Sequence, residues 1–333
     1  MVAYKDIQAS NASINDANAP RVAVFVGGTS GIGQLTLRAL VATGTSLRIY
    51  LIGRPSSEER SRRFIQELQT VNASAEVIWV EADVSLLAEG KKACEHIKSR
   101  ESRIDLLFLT TGYSPFGVRQ ETSEGLETSL VLSYYTRMLF ILHLLPLLRK
   151  SEAPRVVSVL GGGMERTSSI NVDDIDLEKP GSFGITTAQP HYAALQTVFL
   201  DKAASEHPDV TFIHAWPGMV NTGNVWRGLH ASQSILYWFI WGLLEPLIRL
   251  ISSTDDVAGQ RNLFLCTSAA FGGRGVPWTG QAGTSTLRTR DGGLFLANYK
   301  CDSTPNDKVV HVLREKASAK VWEHTHEVLR PYL

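Results

Sequence analysis

Arg21-Val22-Ala23-Val24-Phe25-Val26-Gly27-Gly28-Thr29-Ser30-Gly31-Ile32-Gly33 is an apolar run that ends in a cluster of glycines, and a helical pattern follows from Gln34 to Thr43. A short valine-rich run bounded by glycine reads as a buried strand, so the glycines sit in a strand-to-helix turn. A helix start presents unpaired backbone N–H groups and the positive end of the helix dipole. Glycine lets an anion reach that backbone with no Cβ in the way. The spacing of Gly27, Gly31 and Gly33 is G-x-x-x-G-x-G rather than G-x-G-x-x-G. It is therefore the strand before and the helix after, more than the glycines alone, that predict a dinucleotide-binding Rossmann unit. The competing reading is a glycine turn without a ligand.

Outward from that turn, β-rich runs at 46–52, 75–80, 104–109, 155–159 and 210–215 alternate with helical stretches at 57–71, 87–99, 124–150 and 192–206. Such alternation predicts an α/β fold, a doubly wound parallel sheet with helices on both faces. Beyond it lie an apolar stretch at 234–251, a helix at 255–267, a short run at 293–298 and a closing helix at 307–330. No repeat or linker divides the chain. We expect a mobile tail over 1–20 and a single Rossmann domain over 21–333, with a helical substrate flap at about 223–253.

Composition narrows the function. Of 333 residues, 33 are basic and 33 acidic, which removes any electrostatic pull toward nucleic acid. Cys94, Cys266 and Cys301 have neither a disulfide-framework nor a zinc-site spacing, so no metal site is expected and a reducing, cytoplasmic location fits. The polar first twenty residues make a poor signal peptide, and the Asn11-Ala12-Ser13 and Asn72-Ala73-Ser74 sequons are accordingly read as accidental.

The strand at 46–52 runs into Gly53-Arg54-Pro55-Ser56-Ser57, with Arg54 twenty-one residues past Gly33. An acidic residue here would hold the ribose 2′-hydroxyl of NAD. Arg54 instead offers a planar cation to a 2′-phosphate, with Ser56 and Ser57 as hydroxyl donors, so NADP(H) is expected. The alternative for Arg54 is a solvated surface arginine.

On these residues the chain resembles the short-chain dehydrogenase/reductase family from about 21 to 333. The family's T-G-x-x-x-G-I-G motif matches Val26 to Gly33, with valine in place of threonine. The resemblance implies that Gly27, Thr29, Ser30, Gly31, Ile32 and Gly33 cradle the cofactor and that Asp83, followed by Val84, meets the adenine. It also implies that the Val220 backbone and Thr222, within Pro217-Gly218-Met219-Val220-Asn221-Thr222, hold the nicotinamide carboxamide. Of the family's N-N-A-G, read here as Leu109-Thr110-Thr111-Gly112, only Gly112 remains. The 223–267 region and Val321-Trp322-Glu323 are similar to the retinol-dehydrogenase-like branch, and the general style to reductases of fungal secondary metabolism.

The same resemblance implies a tyrosine that exchanges the substrate proton and, four residues on, a lysine that binds the ribose and lowers the tyrosine's pKa. Here the match is Tyr192 with Gln196, and none of the nine tyrosines is followed four residues later by lysine. Gly161 takes the place of the substrate-orienting serine, and Ser133 that of the helical asparagine. The expected catalytic set is thus Tyr192, Ser133 and Gln196, with Tyr192 near its ordinary pKa of about 10. A neutral phenol still donates a proton, which favours reduction over oxidation. The missing serine donor is worth about 3 kcal/mol of transition-state stabilisation. Two escapes remain: an activated acceptor such as an iminium, or replacement groups such as Ser158, Ser133 or Thr111, with Gln196 on the ribose. The alternative for Tyr192 is a helix residue packed on the sheet.

The run Ile235 to Leu244 is the most apolar in the chain but is too short, with Glu245, Pro246 and Arg249 close behind, for a membrane span. By its position in the family, the resemblance implies that 234–251 is a flap over an apolar small-molecule substrate; a peripheral membrane contact, a homodimer surface and plain core are the competing readings. His143 and His191 fall near the mapped site and read as packed rather than catalytic, and His324 and His326 have no ligand-like partners for a metal in reach by spacing. The expected function is an NADPH-dependent reductase of an apolar carbonyl or imine in secondary-metabolite biosynthesis. The alternatives are an NADP-binding non-redox isomerase or cyclase, and a non-catalytic scaffold.

Overall fold

Valines fill one face of the first strand and Ala23 with Phe25 the other, which is what a central strand between two helical layers demands. The computed structural model describes residues 1–115, 118–220, 242 and 252–333. In chain order its elements are α1 (Tyr4–Ala12), β1 (Val22–Val26), α2 (Gly31–Val41), β2 (Leu47–Gly53), α3 (Glu58–Val71), β3 (Ala75–Glu81), α4 (Leu87–Lys98) and β4 (Leu106–Leu109). They continue with α5 (Thr128–Leu148), β5 (Arg155–Val159), α6 (Ile185–Glu206), β6 (Thr211–Ala215), α7 (Asp255–Thr267), β7 (Gly293–Ala297) and α8 (Asp307–Leu329). The strands form one parallel sheet in the order β3-β2-β1-β4-β5-β6-β7, with Val24 beside both Tyr50 and Leu107.

Each side chain of β1 chooses a layer by parity. Val22, Val24 and Val26 join the core under α4, α5, α6 and α8, while Ala23 and Phe25 join the core under α1, α2, α3 and α7. Burial on both faces explains why these strands read as unbroken apolar runs without alternation. The order reverses between β1 and β4, and that switch opens a crevice at the carboxyl ends of the strands.

The α/β doubly wound fold is as expected; three details differ. The first twenty residues are not a free tail, because α1 buries Ile7, Ser10 and Asn11, and Asn11 donates to Gln260 O at 2.8 Å and Gln260 Oε1 at 2.7 Å. That bond commits the Asn11 amide, as bonds to Val41 O and Thr45 O commit that of Asn72. Helix α6 starts at Ile185, two turns ahead of the expected start, and carries Pro190 inside; so near the N-terminus a proline forfeits one intrahelical bond. A π-helical turn over Val131–Tyr135 interrupts α5. The flap segment expected at 223–253 lies outside the described residues, apart from Gly242, Ser252 and Ser253.

Helix α5 is long and apolar enough to cross a membrane, but 83% of its most apolar window is buried inside the protein, as suits a core helix. On the opposite face Arg155 of β5, fully buried, ties α7 and the turn after it to the sheet. Its Nη1 donates to Leu265 O at 2.9 Å and Ser268 O at 2.8 Å, and its Nη2 to Phe271 O at 3.0 Å and Arg274 O at 2.9 Å. A cation among carbonyls at a helix C-terminus is electrostatically favourable, although burial pulls the guanidinium down to about 10. Arg155→Met should leave Ser268 O with only the long bond from Phe271 N and strip the other three carbonyls of this donor, and cost at least about 3 kcal/mol in denaturant unfolding. A loss below about 1 kcal/mol would show that water replaces the guanidinium.

Candidate active site

The glycines of the first turn are there because the chain passes too close to itself for a side chain. Gly27 has φ +98°, and a Cβ on it would lie 2.7 Å from Thr111 N and 2.8 Å from Thr110 Oγ1; one on Gly33 would collide with the Gly27 carbonyl. Thr110 Oγ1 donates to Gly27 O at 3.0 Å and fastens the end of β4 to the turn. Above this floor lies a cleft of about 700 Å³, within the range of ligand pockets. Its walls include Gly27, Thr29, Ser30, Gly31 and Ile32 from the turn, Arg54, Asp83 and Val84 from the ends of β2 and β3, and Gly112, Leu160, Pro217 and Gly218 farther in.

Most residues expected to hold a cofactor therefore share one cleft. Gly33 supports it from behind. Ser56 is exposed and off its wall, Val220 bridges to Ser253 away from it, and Thr222 lies outside the described residues. Asp83 Oδ1 accepts from Ser85 N at 3.1 Å and Ser85 Oγ at 2.7 Å, which orients the carboxylate at the mouth.

Arg60, which the sequence reading missed, joins Arg54 on the wall. A signal for it was present. Arg62 and Arg63 of α3 pair with Glu58 and Glu59 four residues back, whereas Arg60 has Ser56 and Phe64 at those distances. Neither Arg54 nor Arg60 has an ion-pair partner among the described residues.

The inner end is organised by a second missed residue, Arg137, the one formal charge in the apolar helix α5. It is fully buried yet borders the cleft. Its Nη1 donates to Ser158 Oγ and Val159 O, both at 2.9 Å, and to Gln196 Oε1 at 3.4 Å, and its Nη2 donates to Thr111 O. Ser158 Oγ donates in turn to Gln196 Oε1, and Gln196 Nε2 donates to Ser133 O at 2.9 Å. Gln196 is thus spent on protein partners and, like Ser133 and Ser158, does not reach the cleft wall; Thr111 Oγ1 is likewise bonded to Leu132 O at 2.7 Å.

Tyr192 departs furthest from expectation. It is fully buried, and its hydroxyl donates to Glu127 Oε2 at 2.9 Å and lies 3.2 Å from Ser129 Oγ, off the wall of the cleft. Burial, then the Glu127 charge, raises its pKa instead of leaving it near the ordinary value. The phenol that does line the cleft is Tyr113, half-buried after Gly112, whose carbonyl accepts from Gln189 Nε2 at 3.2 Å. Burial, with Glu127 nearby, pushes it up to about 12, so it is a neutral donor at physiological pH.

Gly161 cannot carry the absent serine in this packing, since a Cβ there would sit 2.8 Å from the Ala193 Cβ. Its backbone is held by a buried relay. Gly161 N donates to His214 Nε2 at 3.2 Å, His214 Nδ1 lies 2.7 Å from Thr197 Oγ1, and Thr197 Oγ1 donates to Glu165 Oε1 at 2.5 Å. Each hydrogen has one acceptor only if His214 is neutral with its proton on Nδ1. Burial, then the Arg137 charge, pulls His214 down to about 3, in keeping with that form. Beside this loop a second cavity of about 630 Å³ shares Leu160, Gln189 and Trp216 with the cleft.

His143, His191 and His324 do structural work. His143 Nε2 bonds Tyr332 O at 2.9 Å and His191 Nε2 bonds Ile175 O at 2.9 Å, while His324 Nε2 lies 2.9 Å from Asp176 Oδ2, a partner invisible from spacing. Among the described residues no cluster of histidine, cysteine or carboxylates is placed to hold a metal ion.

Tyr192→Phe should cost about 1–2 kcal/mol of stability through the lost bond to buried Glu127 and leave dinucleotide affinity within twofold. With its folded-state pKa raised, the contribution of Tyr192 is full below about pH 10 and lost as the pH rises further. Urea titrations from pH 7 to 10.5 check this; a severalfold loss of dinucleotide affinity would place the phenol in the cleft instead.

Residues 21–165 match the family model for short chain dehydrogenase. Oxidoreductase AN1596 of Emericella nidulans is 38% identical over 99% of this chain and 98% of its own length. The NmrA-like family domain-containing oxidoreductase notO of an Aspergillus species is 34% identical over 98% and 94%. Among solved structures, the Pseudomonas aeruginosa RhlG/NADP active-site complex superposes with a TM-score of 0.52 at 19% identity, covering 74% of this chain and 90% of that one, a likeness of fold. A chain that matches fungal oxidoreductases from end to end, and whose amino-terminal half fits this model, belongs to the short-chain dehydrogenase/reductase family.

Proposed function

We propose that the protein is an NADP(H)-dependent reductase acting on an apolar carbonyl or imine intermediate of secondary-metabolite biosynthesis. The observation that carries this reading is a glycine-floored cleft with two unpaired arginines at its outer end. Backbone N–H groups at the start of α2 suit a pyrophosphate, and Arg54 with Arg60 suit a 2′-phosphate that NAD lacks. The Pro217-Gly218 and Leu160 end then takes the nicotinamide, which when bound supplies the hydride.

The chain's own contribution at that end is a proton and a shaped wall. We assign the proton to Tyr113, which lines the cleft: its phenol gives the proton to the substrate oxygen that gains the carbonyl electron pair, and recovers it from solvent. An iminium substrate needs no such donor. The second cavity, reached past Gln189 and Trp216, suits the body of an apolar substrate. Cys94, Cys266 and Cys301 are buried free thiols, which supports a reducing, cytoplasmic location.

Arg54→Ala and Arg60→Ala should each weaken NADPH about tenfold or more and NADH little in calorimetric titrations; equal losses for the two cofactors would refute the 2′-phosphate assignment. With activated carbonyls and imines followed at 340 nm, Tyr113→Phe should slow carbonyl reduction about a hundredfold and imine reduction far less. Product formation without loss of absorbance would favour the non-redox isomerase or cyclase, a reading supported by the burial of Tyr192 against Glu127.

A further inference from the structure

Arg137 and Arg155 are both fully buried, and they are held differently. Each terminal nitrogen of a guanidinium carries two hydrogens. Arg155 gives each of these nitrogens two carbonyl oxygens. Arg137 gives Nη1 three acceptors and Nη2 only Thr111 O, so one Nη2 hydrogen has no acceptor among the described residues. That nitrogen would lie 3.8 Å from a Cβ on Gly112, which is on the cleft wall. Every acceptor Arg137 does have is neutral, and none of the ion pairs among the described residues includes it. Burial lowers the guanidinium to about 9, which leaves it charged at neutral pH.

A fixed charge at the inner end of the cleft acts on whatever ring is placed there. Oxidised and reduced nicotinamide dinucleotides share their phosphates and adenosine, so contacts with those parts cancel in the ratio of the two affinities. The rings differ by one unit of positive charge. We infer that Arg137 makes the cleft prefer the reduced, uncharged nicotinamide over the oxidised, cationic one and so biases the site toward reduction. The inference rests on the NADP(H) reading above. It assigns Arg137 a role beyond packing, since a merely structural arginine would affect both forms alike.

The test is the ratio of NADPH to NADP⁺ affinities, measured by titration calorimetry on the full chain at fixed salt. Arg137→Gln should lower the preference for NADPH about tenfold, equivalent to about 1.4 kcal/mol, while Arg137→Lys should retain it. Gln196→Glu supplies a second arm that keeps the arginine. It sets a carboxylate 3.4 Å from Nη1 and neutralises the charge in place, so the same tenfold fall is expected even if Arg137→Gln does not fold. A ratio unchanged within twofold in Gln196→Glu, or equal losses of both affinities, overturns the inference while leaving the cofactor reading intact. A wild-type chain that binds neither form overturns the cofactor reading and the inference with it.

Discussion

Much of the site hangs on the contact between the first turn and the end of β4. Gly27 and Gly33 close against each other and against Thr110 and Thr111 at distances that exclude a Cβ, and Thr110 Oγ1 donates to Gly27 O. Thr111 then presents its carbonyl to Arg137, which reaches Ser158 on β5 and Gln196 on α6. The glycine turn, three strand ends and two helices are thereby joined through one set of hydrogen bonds beneath the cleft. A side chain at Gly27 or Gly33 would disturb the floor and the buried arginine together.

This arrangement gives the inner end a chemistry unlike the one its family resemblance implies. The cation comes from α5 instead of from the residue four beyond Tyr192, and it sits among neutral partners. Tyr192 faces a buried carboxylate, which holds it protonated and out of the cleft. The wall near Gly161 has no room for a serine, and its backbone is set by a neutral histidine relay from β6 to α6. Among the described residues, the inner end of the cleft is left with the Tyr113 phenol and the Arg137 guanidinium.

The strands and the first turn were legible because local composition determines them. Runs such as Val22-Ala23-Val24-Phe25-Val26, buried on two faces, have no other stable place. The outer end of the cleft was largely legible too, since Arg54 directly follows β2 and Asp83 stands two residues past β3. Sequence distance could not show that Glu127 would meet Tyr192 across 65 residues, because that contact depends on how α5 packs beside α6. The tail was misread for a similar reason: α1 has little apolar character of its own, and its order comes from Ile7 and the Asn11–Gln260 bonds to α7. Arg137 and Arg60 did leave traces, one as the single charge in an apolar helix and the other as an arginine without a carboxylate four residues away.

Hydrogen–deuterium exchange with and without saturating NADPH tests most directly whether this cleft is a cofactor site. The account predicts slowed exchange in three separate segments, 27–33, 110–113 and 159–161, that meet only in the folded cleft. Unchanged exchange in all three, with NADPH present in large excess, would contradict it.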